Sequence, residues 1–170
     1  MKNIIIFGLL LIISACSSSK VSSTNSPHVT NTNCPEDGVC TFEVFHKKTL
    51  NIKKDGIGAL YPELTEGKNI VIKFEYKRNE IPYTADGGYS EIIYAEIDAS
   101  KKEINLNNEG LLEAKMVYGR ICFCRGETGY YPIKKGDFKV STNKDGTTTY
   151  DLTFKIQEVP QIITSFHETL

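Results

Sequence analysis

The chain has 170 residues with 20 basic and 21 acidic side chains, a formal net charge of −1, so the cationic excess expected of a nucleic-acid binder is missing. Its length and a hydrophobic content of 40% allow one domain with a sizeable core. Tryptophan is absent while there are 9 tyrosines, which weakens the case for a carbohydrate-binding platform.

In chain order, a basic start, Met1-Lys2-Asn3, leads into an unbroken apolar run, Ile4 to Ile13. That run is too short to span a bilayer, which needs about 20 residues. It ends in small side chains, Ser14 and Ala15, followed by Cys16 and then by polar residues. Together these are the marks of an export signal. The stretch Ile13-Ser14-Ala15-Cys16 resembles the lipobox of bacterial lipoproteins. An ordinary secretory signal with a chance cysteine competes with that reading, but the cysteine sits directly where the apolar run stops. The resemblance implies that residues 1–15 are removed, that Cys16 becomes a diacylated N-terminus, and that the membrane is a partner through its acyl chains. Each buried methylene contributes about 0.8 kcal/mol, so two chains hold where one would not. In Gram-negative members of that family, Ser17 in place of aspartate implies the outer membrane. The lack of an acidic cluster at 18–20 implies its periplasmic face.

Residues 16–33 are mostly Ser, Thr and Asn. Such a segment buries too little surface to offset its ordering entropy, so it is expected to be a flexible tether with His28 solvated inside it.

Residues 34–170 read as a single β-domain. Ile70, Ile72, Phe74 and Tyr76 alternate with Val71, Lys73, Glu75 and Lys77, and Tyr150, Leu152, Phe154 and Ile156 alternate with Asp151, Thr153 and Lys155. Period two places one set on a core face and the other toward water. Phe42/Val44, Leu50/Ile52 and Phe138/Val140 show the same habit, and Ile92 to Ile97 reads as a more buried strand. Asn143-Lys144-Asp145-Gly146 predicts a hairpin between 137–142 and 147–157. Asp98-Ala99-Ser100-Lys101 suggests another, and Asp55-Gly56, Asp86-Gly87-Gly88 and Gly136-Asp137 mark further turns. Residues 111–118 favour a strand, with a short helix near 108–116 as the alternative. The expectation is an all-β antiparallel sandwich or partly closed barrel of about seven to nine strands.

With Cys16 assigned to lipid, four cysteines remain: Cys34, Cys40, Cys122 and Cys124. An even number in an exported chain reads as disulfides, and three connectivities are possible. Cys122–Cys124 would close a very small ring, so cross-links from the 34–40 turn to the 122–124 strand are favoured. Zinc is disfavoured because Cys-x5-Cys and Cys-x-Cys are not the pairs structural zinc sites use. A thiol-redox role for Cys122 and Cys124 is the rival reading, since Arg120 and Arg125 flank them and cations lower thiol pKa values.

No nucleophile elbow, metalloprotease helix, phosphate loop or calcium loop occurs. The three histidines, His28, His46 and His167, have no ligand spacing. The expectation is a non-enzymatic binding or structural module of the cell envelope, with neither metal nor cofactor. Its partner would be an envelope protein, peptide or polymer. Candidate contact residues lie on two aromatic-rich segments: Arg78, Tyr83 and Tyr89 on the first, Arg125, Tyr130 and Tyr131 on the second. Tyrosine and arginine on loops offer rigid area with a polar end. For Tyr130 or Tyr131, a strand start that caps the core is favoured over a contact role.

Overall fold

A computed structural model describes residues 27–30 and 34–170. Cys16, the lipobox and most of the predicted tether lie outside them. Among the described residues, ten strands form two antiparallel sheets, one of six and one of four, stacked as a sandwich that is not closed into a barrel. The strands are β1 (His28–Thr30), β2 (Gly38–Lys54), β3 (Leu60–Arg78), β4 (Tyr89–Ile97), β5 (Glu103–Asn107), β6 (Val117–Cys122), β7 (Gly129–Pro132), β8 (Gly136–Thr142), β9 (Thr148–Phe154) and β10 (Ser165–Thr169). The larger sheet runs β1-β2-β3-β4-β6-β7 and the smaller β10-β9-β8-β5.

Alternation sets the inner face. Across the larger sheet, Phe42, Phe74, Ile93 and Tyr118 stand opposite one another in register and are buried. They meet the smaller sheet through aromatic pairs: Phe42 with Tyr150 at 5.2 Å, Phe74 stacked on Phe166 at 5.1 Å, and Tyr118 with Phe154 at 5.8 Å between ring centroids. Burying each such ring is worth about 1.5–3 kcal/mol, which makes this layer the main hydrophobic stabilisation.

Several expectations change. Residues 28–30, assigned to the tether, form an edge strand against Thr41 and its neighbours, with His28 exposed and Thr30 buried. The C-terminal tail holds another, β10, so the count rises to ten. β1 is too short to display alternation, and in β10 the inward positions are Phe166 and Glu168, so an acid breaks its apolar pattern. The Asp98–Lys101 turn exists, with Lys101 N–H donating to the Asp98 carbonyl at 3.0 Å, but it joins strands of different sheets and is not a hairpin. Residues 111–118 are not one strand: a 3₁₀ helix covers Asn108–Leu112 and the strand begins only at Val117. Lys115, between that helix and Val117, stands at positive φ, and a left-handed residue breaks a regular strand.

The Phe42/Val44 and Leu50/Ile52 runs belong to one long strand bent at a bulge. Lys47 adopts φ 56 there, and Lys48 stands opposite both Asn69 and Glu66. Gly67 completes the bend, since a Cβ on it would lie 2.0 Å from the Thr49 hydroxyl. Beyond the bulge, Lys48–Lys54 and Leu60–Glu66 form an arm whose tip carries Ile57, 92% exposed. Glu96, on the outer face of β4, ties the arm down. Its carboxylate accepts from Leu50 N–H at 2.6 Å, Asn69 at 2.8 Å and Lys115 at 3.0 Å, and Lys115 also donates to the Leu50 carbonyl. Burial raises the Glu96 pKa, but these donors outweigh it and hold the carboxyl below its ordinary value of 4.5.

Candidate functional site

At the end of the larger sheet opposite the arm, the inner face turns polar. In register across four strands lie Cys40, Tyr76, Glu91 and Arg120, with Arg78, Tyr89 and Cys122 just beyond them. Glu91 is fully buried in a strand, Tyr-Ser-Glu-Ile-Ile-Tyr-Ala-Glu-Ile, whose inward positions are otherwise apolar or aromatic. A buried carboxylate persists only when its oxygens are satisfied. Here it accepts from the backbone N–H groups of Ile162 and Ile163, both at 2.7 Å, and from the Tyr89 hydroxyl at 2.6 Å. It thereby pins the connection between β9 and β10 beneath this end. Tyr118 lies buried beside Glu91 with no hydrogen bond of normal geometry on its hydroxyl. Burial and the neighbouring carboxylate push its ionisation far above the ordinary tyrosine range.

Tyr89 is the hub. The Arg78 guanidinium lies 4.5 Å and that of Arg120 5.5 Å from its ring centroid, and Arg120 Nε donates to its hydroxyl at 3.3 Å. Each arginine then reaches outward to an acid. Arg78 pairs with Asp37 at 3.1 Å, and Arg120 pairs with Glu127. Tyr76 also donates to Asp37 at 2.7 Å; that bond foremost, with the Arg78 charge, holds Asp37 below its ordinary value. Burial and the Glu91 charge push Tyr89 up. The arrangement fixes two loops, the 34–38 turn through Asp37 and the 123–128 loop through Glu127. Cation–π contacts of this kind contribute about 0.5–2 kcal/mol each, more where desolvated.

Above this stack the chain exposes apolar side chains. Residues 79–88 present Ile81 and Tyr83, 54% and 107% exposed, and the 121–124 segment presents Ile121 and Phe123, 39% and 84% exposed. Tyr83 stands at φ 66, a left-handed backbone conformation. A cavity of about 520 Å³ opens between the loops, lined by Arg78, Asp86, Tyr89, Ile121, Cys122 and Phe123 among others.

The predicted contact residues therefore separate. Arg78, Tyr83, Tyr89 and Arg125 gather at this end, Tyr83 and Arg125 exposed and Tyr89 buried. Tyr130 and Tyr131 lie in β7 and are not loop residues. Tyr131 packs against the inter-sheet core. Tyr130 covers Gly119 on the outer face, where a Cβ would sit 2.4 Å from its ring, and burial pushes its hydroxyl up to about 12. Sequence reasoning missed Asp37, Glu91, Glu127 and Phe123. Glu91 had a readable signal, an acid at the inward parity of an apolar strand; the others depend on strand order.

The cysteine pairing is also corrected. The bridges are Cys34–Cys40 and Cys122–Cys124, with Cα–Cα separations of 5.8 Å and 5.2 Å. Cys40 in β2 and Cys122 in β6 are separated by two intervening strands, β3 and β4. At about 4.8 Å per strand spacing they stand roughly 14 Å apart, beyond the ~7 Å a disulfide spans. The chain bends at Phe123, so the last two thiols meet around a turn.

No group of three His, Cys, Asp or Glu side chains among the described residues is placed to hold a metal ion. No helix among them is long and apolar enough to cross a membrane. Comparison with protein-family models, curated proteins and solved structures gives no match for this chain.

Proposed function

We propose that the protein is an envelope lipoprotein, anchored through acyl chains on Cys16, whose sandwich presents its loop end to a polypeptide partner without catalytic turnover. The observation that carries the binding reading is a groove lined by Ile121 and Phe123 together with Arg78 and Tyr89 of the rigid Arg78–Tyr89–Arg120 stack, with Ile81 and Tyr83 exposed on the adjoining 79–88 loop. Exposed aromatic and aliphatic side chains beside arginine are what protein contacts use, because a preordered base lowers the entropy lost on docking. The direction of β1 agrees with this. It runs from His28, opposite Phe42, to Thr30, opposite Cys40, and so toward the loop end. His28 therefore lies on the side of this strand away from the loop end. The lipobox supports the anchor, and its context the periplasmic face of the outer membrane.

A photo-crosslinking residue at Phe123 or Tyr83, introduced into the full chain in cells, is expected to capture a discrete protein, whereas the same residue at Ile57 on the arm tip does not. Equal capture at both ends, or none at the loop end, would refute the docking assignment. Labelling with radioactive palmitate tests the anchor separately: label should enter the native chain and vanish with Cys16→Ala.

A further inference from the structure

The two disulfides occupy unlike settings. Cys40 is fully buried, and its bridge to Cys34 fastens the 34–40 turn to the core. Cys122 and Cys124 are both half-exposed at the end of β6, and the residue between them, Phe123, stands in solvent. Their bridge spans a sequence separation of 2 and joins no two elements of the fold. The loop-closure gain shrinks as the closed loop shortens, so this bridge adds little to stability. Cys122 leans on the inter-sheet core, and Cys124 does not. An open cavity of about 400 Å³ adjoins the pair, lined by Phe123, Arg125, Gly126 and Thr128 as well as both cysteines.

We propose that Cys122–Cys124 is a thiol–disulfide exchange site for the cysteine thiols of extended polypeptides. A substrate thiolate attacks Sγ of the outward Cys124. A sulfur–sulfur bond forms between them, the Cys122–Cys124 bond breaks, and Cys122 leaves as a thiolate that takes up a proton. A second substrate thiolate then attacks the substrate sulfur of the mixed disulfide, releasing Cys124 as a thiolate that is protonated in turn. The substrate dithiol is oxidised to a disulfide, and the pair is reduced to two thiols, one for one. Arg125 on the cavity wall favours the thiolate forms, and Phe123 gives an apolar flank to the chain around the substrate cysteine. This exchange does not depend on what the loop end docks.

The test uses the full chain in glutathione buffers of increasing reducing power, with alkylation of thiols and peptide-resolved mass mapping. Cys122 and Cys124 are expected to become alkylated at a ratio of squared reduced to oxidised glutathione at least tenfold below that needed for Cys34 and Cys40, with circular dichroism unchanged. A reduced dithiol peptide should be oxidised in one-to-one stoichiometry. Reduced Cys122→Ser, which keeps Cys124, should form a mixed disulfide with oxidised glutathione faster than Cys124→Ser. If both bridges open together, or the dithiol peptide is not oxidised, the exchange assignment is wrong. Equal trapping by the two variants would overturn Cys124 as the attacked sulfur.

Discussion

At the arm end of the larger sheet, Glu96, Lys115 and Asn69 converge, and the first two grip the backbone of one residue, Leu50. At the loop end, Arg78 and Arg120 stack on one ring, and the side chains beyond them point into water. Both ends use charge, but to different purposes. The first clamp holds a bent hairpin in place and offers an exposed tip of one apolar residue, Ile57. The second holds the bases of two loops still while leaving their tips to solvent. Where charged groups immobilise a platform and apolar groups stand on it, the platform is suited to recognition; where they grip a strand, they serve shape.

Removing Glu91 should sharpen the contrast most. Glu91→Leu would orphan two backbone N–H groups in the core and remove the acceptor of the Tyr89 hydroxyl, costing about 3–5 kcal/mol by urea unfolding. A loss under about 1 kcal/mol would show that the loop end is not founded on this carboxylate. The disulfides come next. Converting Cys34 and Cys40 to Ser should cost about 2 kcal/mol or more, whereas the Cys122/Cys124 pair should cost under about 1 kcal/mol. Equal losses would erase the distinction between them.

Glu96 gives a comparable effect at the arm end, and one that depends on pH. Its folded pKa is depressed, so its contribution is present above the ordinary value of 4.5 and is lost as pH falls through the folded value. Chemical denaturation of native chain and Glu96→Gln should therefore differ by about 1–2 kcal/mol at neutral pH and converge in acid. A gap that stays constant with pH would assign the effect to packing. The smallest effect belongs to Tyr83→Ser, which touches no core and should leave stability within about 0.5 kcal/mol while reducing partner capture.

How much of this was readable beforehand depended on length and register. Alternation over Ile70–Tyr76 and Tyr150–Ile156, and the Asp145-Gly146 turn, speak through local physics alone, so the all-β antiparallel class was legible, while the choice between sandwich and barrel was not. The bend at Lys47 was not, because a left-handed lysine carries no sequence signal. The cysteine pairing and the Arg78–Tyr89–Arg120 stack depend on which strands are neighbours. That order is a long-range outcome which no window of residues contains. The loops that gather at one end were visible as aromatic-rich segments, and the strand start read at Tyr130 or Tyr131 is the one β7 forms.

The short strand β1 has a mechanical consequence. It lies antiparallel to β2 over Thr30, Val29 and His28, and Thr30 also donates to Glu168 on the other sheet. A pull on residue 27 acts along the strand axis, so it loads the hydrogen bonds of β1 in shear, all at once, and does not unzip them singly. Force spectroscopy from residue 27 against residue 170 would read this as one high rupture step at β1. Behind that step, Cys34–Cys40 removes the slack of the 34–40 turn, so the load passes from that turn straight into β2 at Cys40.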